Sequence, residues 1–354
     1  MEFENTETNK KRLWVFIAIA YGLTFLMSLV MYEANRKGLN TTVFVNVQMM
    51  YPACGVILGK LLFKDDRPLP VAGYITTLAT AAVMIVIAVL SVVFPIAPIK
   101  YAEGLPEIDI WNVISQFPII AGSVTAYILF WVCGKEKRVN AGIERKNIKQ
   151  SIILVAVFVA LLIGRAMIGV FITDLMTGTD DEWQTVLASL TNPMTWISLA
   201  VLPINFIFVF LAFFGEEYGW RYYLQPLMQN RFGKRAGVLL LGLVWAVWHI
   251  GVDFMFYTDG YGLQAFAGQI VTCVVMAIFF GYAYMKTENI WVVVIMHYLN
   301  NNIAALLAGG GEDALQNQVI NWKDIPVLAA SSVVFALFIF MPLYNRKREE
   351  VRSV

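Results

Sequence analysis

Long apolar segments constrain the fold of this chain more than any other feature of its sequence. A membrane-spanning helix needs about 20 predominantly apolar residues, and ten segments meet that requirement. They lie near residues 13–32, 42–63, 69–94, 110–133, 151–173, 194–220, 236–254, 264–285, 290–308 and 325–344. Only 14% of the 354 residues are charged, whereas a soluble domain carries about 25%. We therefore predict an all-α polytopic membrane protein with about ten transmembrane helices.

Positive charge is concentrated in alternate loops between these segments. The basic stretches lie at 10–12, 64–67, 134–150, 230–235, at 286 and in the tail from 345 to 352. Acidic clusters occupy intervening loops, as at 179–182 and 311–313. Because loops rich in lysine and arginine stay in the cytoplasm, this alternation predicts a multi-pass protein with both termini cytoplasmic. The formal net charge of +1 argues neither for nor against a nucleic-acid partner, and we expect none.

Few ionisable side chains fall within the predicted spans, and each of them is costly there. A charged side chain at the middle of a membrane helix costs about 2.5–3.5 kcal/mol on the insertion scale. The residues concerned are Lys60, Arg165, Glu216, Glu217, Arg221, His249 and His297. Lys60 is near a helix end and can extend its ammonium group to the interface. The others are candidates for a functional site, and they include both histidines of the chain.

The spacing of these residues indicates which of them act together. Glu217 and Arg221 are four residues apart with the acid first, the favoured order for an ion pair on a helix. Glu216 lies about 100° further around the helix, so the pair leaves it free to point elsewhere. On later spans, His249 shares a helix face with Asp253, and His297 shares one with Asn301.

The chemistry of this set favours hydrolysis of an amide bond. One buried histidine is most simply explained by a hydrogen bond to a neighbouring carbonyl. Two histidines on separate helices, with adjacent carboxylates on a third, make that explanation weaker. A carboxylate and an imidazole can activate a water molecule, and a second imidazole with an amide N–H can stabilise an oxyanion.

Three motifs within residues 205–305 resemble those of the CPBP family, also called the ABI family. EEYGWR at 216–221 is similar to its E-E-x-x-x-R signature, WAVWH at 245–249 to its aromatic-x-x-x-His motif, and HYLNN at 297–301 to its H-x-x-x-N/D motif. The family includes type II CAAX prenyl endopeptidases and bacterial bacteriocin-processing or immunity proteins. Trp245 stands where phenylalanine is common, which puts the shape of the catalytic chamber in doubt. The five spans before the match exceed the minimal family core and have no assigned role.

The resemblance implies roles for individual residues of this chain. Glu216 and His249 would activate water, and His297 and Asn301 would form the oxyanion site. Glu217 and Arg221 would support the electrostatics and the positions of these four residues. The resemblance also implies a helical bundle with a catalytic chamber open to the cytoplasm, in a bacterial plasma membrane.

We expect three regions and one main function. Residues 1–193 form an N-terminal transmembrane region, 194–310 the protease-like catalytic core, and 311–354 an outer loop, the last transmembrane helix and a basic cytoplasmic tail. The glycines at 309–311 and the polar stretch to Asp324 are expected to be a flexible loop. The expected function is endoproteolysis of a membrane-associated protein or peptide, prenylated (CAAX-like) or not. The alternatives are a non-catalytic scaffold or bacteriocin-immunity protein of the same fold, and a proton-relay transporter.

Two further questions stay open at this point. Family names often include "metalloprotease", and Glu216, His249 and His297 are an alternative set of zinc ligands. The chain lacks an H-E-x-x-H helix, and we expect metal-independent hydrolysis with no cofactor. Arg165 lies outside the motifs, where it either forms an ion pair with Glu216, Glu217 or a lipid phosphate, or receives the carboxylate of a substrate.

Overall fold

The computed structural model describes residues 6–100, 107–307 and 315–345, apart from the side chains of residues 6, 304 and 307. Within these ranges the chain is helical, and its only extended pairing is an isolated bridge between Ile99 and Ile108. The helices are α1 (Thr6–Ile17), α2 (Thr24–Arg36), α3 (Thr42–Gln48), α4 (Tyr51–Leu62), α5 (Val71–Val93), α6 (Ile110–Val132), α7 (Lys135–Ala141), α8 (Ile148–Thr177), α9 (Asp181–Thr191), α10 (Pro193–Glu217), α11 (Gln225–Phe232), α12 (Lys234–Trp248), α13 (Ile250–Met255), α14 (Gly262–Thr287), α15 (Ile290–Leu307), α16 (Asp324–Ala336) and α17 (Pro342–Asn345). A π-helical segment, Ala18–Leu23, joins α1 to α2, and a second, Tyr218–Leu224, joins α10 to α11.

The prediction of an all-α polytopic membrane protein is confirmed. Eight helical stretches of the described residues are long and apolar enough to cross a membrane: Glu7–Arg36, Thr42–Leu62, Val71–Val93, Ile110–Val132, Ile148–Thr177, Pro193–Phe232, Lys234–Met255 and Gly262–Thr287. They correspond to the first eight predicted spans. The ninth predicted span contains the 18-residue helix α15. The tenth contains a shorter apolar helix, Asp324–Phe340.

The loops predicted to be basic lie together, and we call their side of the bundle the basic face. The contacts between these loops are Arg12 with Asp65 at 3.2 Å, Lys60 with the carbonyl oxygen of Asn140 at 3.3 Å, Lys146 with Glu288 at 3.3 Å, and Lys234 with the carbonyl oxygen of Leu343 at 3.2 Å. The first described helix therefore begins on this face, and the last one lies there. Lys60 reaches it from within its helix, as predicted.

The opposite ends of the helices meet on a second surface, which we call the distal face. The hydroxyl of Thr41 donates to the carbonyl oxygen of Met255 at 3.1 Å. The backbone N–H of Gln318 donates to the carbonyl oxygen of Tyr257 at 2.7 Å. Gln316 also reaches Thr42 at 3.0 Å. Residues 309–311 lie outside the described residues. The stretch 316–318 is a loop, as predicted, and its hydrogen bonds join it to residues 42, 256 and 257.

Helix α10 and its π-helical extension pack closely against α4 because two glycines face it. A Cβ added to Gly215 would lie 2.3 Å from the carbonyl oxygen of Met49, and one added to Gly219 would lie 2.2 Å from the Cβ of Pro52. Small residues four apart allow such backbone contact between membrane helices. The acidic pair lies between these glycines in the sequence, so the close approach also determines where the glutamates enter the bundle.

Candidate active site

Four side chains proposed for catalysis from the sequence line one cavity of about 680 Å³. They are Glu216 from α10, His249 from the junction of α12 and α13, and His297 and Asn301 from α15. Glu216 is 2% exposed, His249 7% and His297 5%, so the cavity is the route by which a ligand can reach them. Residues from three separate parts of the chain thus meet in one buried place.

Two tryptophans orient the carboxylate of Glu216. Its Oε2 atom accepts hydrogen bonds from the indole N–H of Trp245 at 2.8 Å and from that of Trp220 at 3.3 Å. Hydrogen bonds to an ionised group are stronger than those between neutral groups, and they offset part of the cost of burying the charge. One oxygen of the carboxylate is therefore held in place within the cavity wall.

Glu217 faces away from the cavity and connects Arg221 to His297. Its Oε2 lies 3.2 Å from Nε of Arg221, and its Oε1 lies 2.8 Å from Nδ1 of His297. The i,i+4 ion pair predicted from the sequence is therefore present. Both partners are fully buried, and Glu216 is left to face the cavity as expected.

Aromatic rings complete the surroundings of Arg221. Its guanidinium carbon lies 4.2 Å from the ring centroid of Trp245 and 5.2 Å from that of Phe280. In the described part of the chain its three guanidinium nitrogens have no hydrogen-bond partner. Charge attraction to Glu217 and cation–π contacts therefore hold this side chain.

His249 lies at a break in its helix, and its ring has a defined tautomer. Its Nδ1 is 2.9 Å from the carbonyl oxygen of Trp245. Because a carbonyl oxygen can only accept, Nδ1 carries the proton, and Nε2 of the neutral ring has a free lone pair. Trp245 therefore contacts both members of the predicted water-activating pair, since its N–H binds Glu216 and its carbonyl binds His249.

His297 and Asn301 are one turn apart on α15 and both line the cavity. The side-chain oxygen of Asn301 accepts from Asn300 at 3.0 Å. Within the described residues the amide nitrogen of Asn301 has no partner among the hydrogen bonds of the chain. It is available to donate to a ligand.

Arg165 and Asp253 also line this cavity. Among the described residues Arg165 forms no ion pair with Glu216 or Glu217. Both carboxylate oxygens of Asp253 are buried without a hydrogen-bond partner in the described part of the chain, so this residue does not orient His249. The donors to Glu216 were missed from the sequence, although Trp220 follows it at i+4.

Within the described ranges no three His, Cys, Asp or Glu side chains are grouped so that they could hold a metal ion. In the alternative zinc set of Glu216, His249 and His297, one carboxylate oxygen and the two Nδ1 atoms are held by two indoles, a backbone carbonyl and Glu217. The expectation of metal-independent hydrolysis stays a prediction.

The cavity reaches the distal face. Its walls include Thr42, Phe256, Tyr257 and Gln318, which belong to loops on that side. The resemblance implied a chamber open to the cytoplasm, and the loop charges predicted that the basic face is cytoplasmic. The expectation of a chamber open to the cytoplasm stays a prediction, because it depends on which face of the bundle is cytoplasmic.

The fold and the site define a polytopic helical membrane protein with a buried glutamate–histidine centre. Residues 196–303 match the family model described as type II CAAX prenyl endopeptidase Rce1-like, and this segment contains all the motif residues. This segment of the chain is therefore similar to the endopeptidases of that family.

A curated relative agrees with this assignment. The chain is 28% identical over 115 residues to a protein of Methanococcus maripaludis named CAAX prenyl protease 2. The alignment covers 30% of this chain and 41% of the relative, so the chain spans about two fifths of that protein's length. No solved structure gives a significant match.

Proposed function

We propose that this protein is an intramembrane endopeptidase that hydrolyses a peptide bond of a membrane-associated protein or peptide. The observation that carries the proposal is that Glu216, His249, His297 and Asn301 line one buried cavity although they come from three separate parts of the chain. The match to the endopeptidase family model supports the same reaction. The name of the relative makes prenylated, CAAX-type substrates the first class to test.

Glu216 and His249 activate the attacking water in this proposal. The carboxylate of Glu216 is oriented by two indole N–H groups, and His249 presents the lone pair of Nε2. Both groups can accept a proton from water. The proton then passes to the amine of the leaving peptide as the carbon–nitrogen bond breaks.

His297 and Asn301 stabilise the oxyanion. Because Nδ1–H of His297 donates to Glu217, Nε2 can donate to the substrate only when the ring carries both protons. The neighbouring carboxylate of Glu217 stabilises that cation, and Arg221 offsets the second negative charge of the glutamate pair. Two ionised glutamates, one arginine and one protonated histidine leave the buried cluster neutral. The amide N–H of Asn301 supplies the second donor.

A pair of neighbouring asparagines tests the oxyanion role with little ambiguity. Asn301 lines the cavity, whereas Asn302 donates to the carbonyl oxygen of Tyr298 on its own helix at 2.8 Å. We expect Asn301→Ala to slow peptide cleavage by about 10²–10³ and Asn302→Ala to cleave at nearly the parental rate. Cleavage is measured on a pool of prenylated and unprenylated membrane peptides by mass spectrometry.

Glu216→Gln tests the water-activating role and identifies the substrate. The amide oxygen of the glutamine retains an acceptor for the two indole donors, so the fold is preserved while the base is lost. We expect no cleavage, and we expect bound substrate to co-purify with this variant for identification by mass spectrometry. If the Glu216→Gln protein cleaved the pool as fast as the parent, the proposed mechanism would be wrong and a non-catalytic role would be favoured.

A further inference from the structure

We propose that a second, smaller cavity binds the phosphate headgroup of an anionic phospholipid. This cavity has a volume of about 360 Å³ and lies between the end of α6, helix α7, the loop that follows α7 and the first turn of α15. Within the described residues it shares no lining side chain with the cavity that contains Glu216. Its ligand therefore does not depend on the reaction proposed above.

The smaller cavity lies at the boundary between an apolar span and a charged loop. Tyr127, Phe130 and Trp131 line it from the last two turns of α6, one of the helices long and apolar enough to cross a membrane. Lys135 and Arg138 also line it and follow a few residues later, on α7. Tyrosine and tryptophan are enriched at the level of the lipid headgroups. The cavity is therefore at headgroup level, whichever face of the bundle is cytoplasmic.

Positive charge predominates among the side chains that line this cavity. The three cations Lys135, Arg138 and Arg145 face a single carboxylate, that of Glu144, so the lining has a net charge of +2. Lys135 lies 4.0 Å from Glu144. In the described part of the chain neither arginine forms an ion pair, and each donates to a neutral oxygen instead. The cavity therefore attracts a negatively charged ligand.

Aromatic rings hold the guanidinium of Arg145 in place. Its central carbon lies 4.0 Å from the ring centroid of Trp131, 5.6 Å from that of Tyr127 and 5.9 Å from that of Trp291. Its Nη2 donates to the hydroxyl of Tyr127 at 2.9 Å, and this is the one hydrogen bond that the group makes within the described residues. Cation–π contacts thus fix a planar donor whose other N–H groups are available. Such a fork binds two oxygens of a phosphate at once.

The second arginine is positioned on the same frame. Nη1 of Arg138 donates to the carbonyl oxygen of Trp131, at the end of α6. The indole N–H of Trp291 donates to the carbonyl oxygen of Ile143 at 2.8 Å, which holds the loop between the two arginines against α15. Both cations are therefore in place before a ligand binds, which reduces the entropy lost on binding.

Exposed apolar side chains in the same turns of α6 favour a lipid over a free phosphate ester. Ile128, Trp131 and Val132 are 52%, 54% and 66% exposed. On a membrane-spanning helix such side chains contact the acyl chains of lipids. A phospholipid matches both features, because its phosphate can bind the arginines while its chains lie against α6. Basic pockets between membrane helices bind anionic headgroups in this way.

Lipid binding to the purified protein tests this site in a neutral detergent, where both faces of the bundle are accessible. Dioctanoyl phosphatidylglycerol and dioctanoyl phosphatidylcholine are titrated separately, and the bound lipid is counted by native mass spectrometry. Arg145→Gln and Arg138→Gln each remove one cation of the cavity. Lys137→Gln is the matched control, because Lys137 is exposed on α7 and does not line the cavity. Glycerophosphoglycerol, which is phosphatidylglycerol without its acyl chains, is the competitor.

We expect the parent protein to bind phosphatidylglycerol about tenfold more tightly than phosphatidylcholine, or better, because the lining is cationic. Arg145→Gln and Arg138→Gln should each weaken the binding of phosphatidylglycerol by about fivefold, the contribution of one cation near an anionic lipid. Lys137→Gln should weaken it by less than about twofold. Either arginine variant decides the question if the other does not fold.

Three results would overturn the proposal. Equal affinity for the two lipids would mean that no anionic headgroup is recognised. Equal weakening by Lys137→Gln and by the arginine variants would mean that the lipid is attracted to the basic face as a whole. Displacement of phosphatidylglycerol by an equimolar amount of glycerophosphoglycerol would identify a free phosphate ester as the ligand in place of a lipid.

Discussion

The buried pair of Glu217 and Arg221 offers the sharpest test of how charge is accommodated in this membrane protein. The side chains of Arg221 and Glu217 are both fully buried. Arg221→Gln leaves the carboxylate of Glu217 with only His297 as a charged partner. Breaking a buried ion pair costs about 3–5 kcal/mol. The variant also loses a cation–π contact with Trp245 at 4.2 Å, which is worth about 2 kcal/mol when desolvated. We expect a loss of at least 3 kcal/mol in the free energy of unfolding.

A double-mutant cycle separates the pair from the single effects. The free energies of unfolding of the parent, Glu217→Gln, Arg221→Gln and the double variant are measured in mixed detergent–SDS micelles by tryptophan fluorescence. The sum of the stability losses in the two single variants should exceed the loss in the double variant by up to about 3 kcal/mol. Residues in contact couple by up to that amount. Arg231→Gln is the matched control, since Arg231 is exposed and should change stability by less than about 0.5 kcal/mol. An Arg221→Gln protein as stable as this control, or a cycle without coupling, would refute the reasoning.

Three other outcomes can be checked directly. Gly215→Ala should lower both stability and peptide cleavage, because its Cβ would lie 2.3 Å from the backbone oxygen of Met49. Thermal unfolding and cleavage rates of Gly215→Ala and of the control Gly164→Ala, where nothing lies within 4 Å, decide this. Arg165→Gln should weaken cleavage of peptides with a free C-terminal carboxylate and leave amidated ones unaffected, since a guanidinium that lines the cavity suits a carboxylate. Equal losses for both peptides would exclude that role. Elemental analysis of active protein should show no stoichiometric zinc, and one zinc per chain with activity lost on chelation and restored by zinc would overturn metal-independent hydrolysis.

Much of the site could be predicted because membrane burial makes ionisable residues conspicuous. Glu216, His249 and His297 were identified by the cost of placing them in lipid, and the pairing of Glu217 with Arg221 by helical spacing alone. Asp253 was grouped with His249 by the same spacing, yet the two side chains do not interact. Helical periodicity indicates which residues share a face, but it does not indicate which neighbouring helix packs against that face.

The sequence by itself determined the helical class, the segments long enough to span a membrane, and the clustering of basic loops on one side, because these follow from local hydropathy and charge. The tertiary structure alone decided which groups orient the candidate catalytic side chains. Two tryptophans reach Glu216, and one of them lies 29 positions later on another helix. Such contacts depend on how the helices cross and how closely they pack, and Gly215 and Gly219 act only through the atoms that approach them from distant parts of the chain.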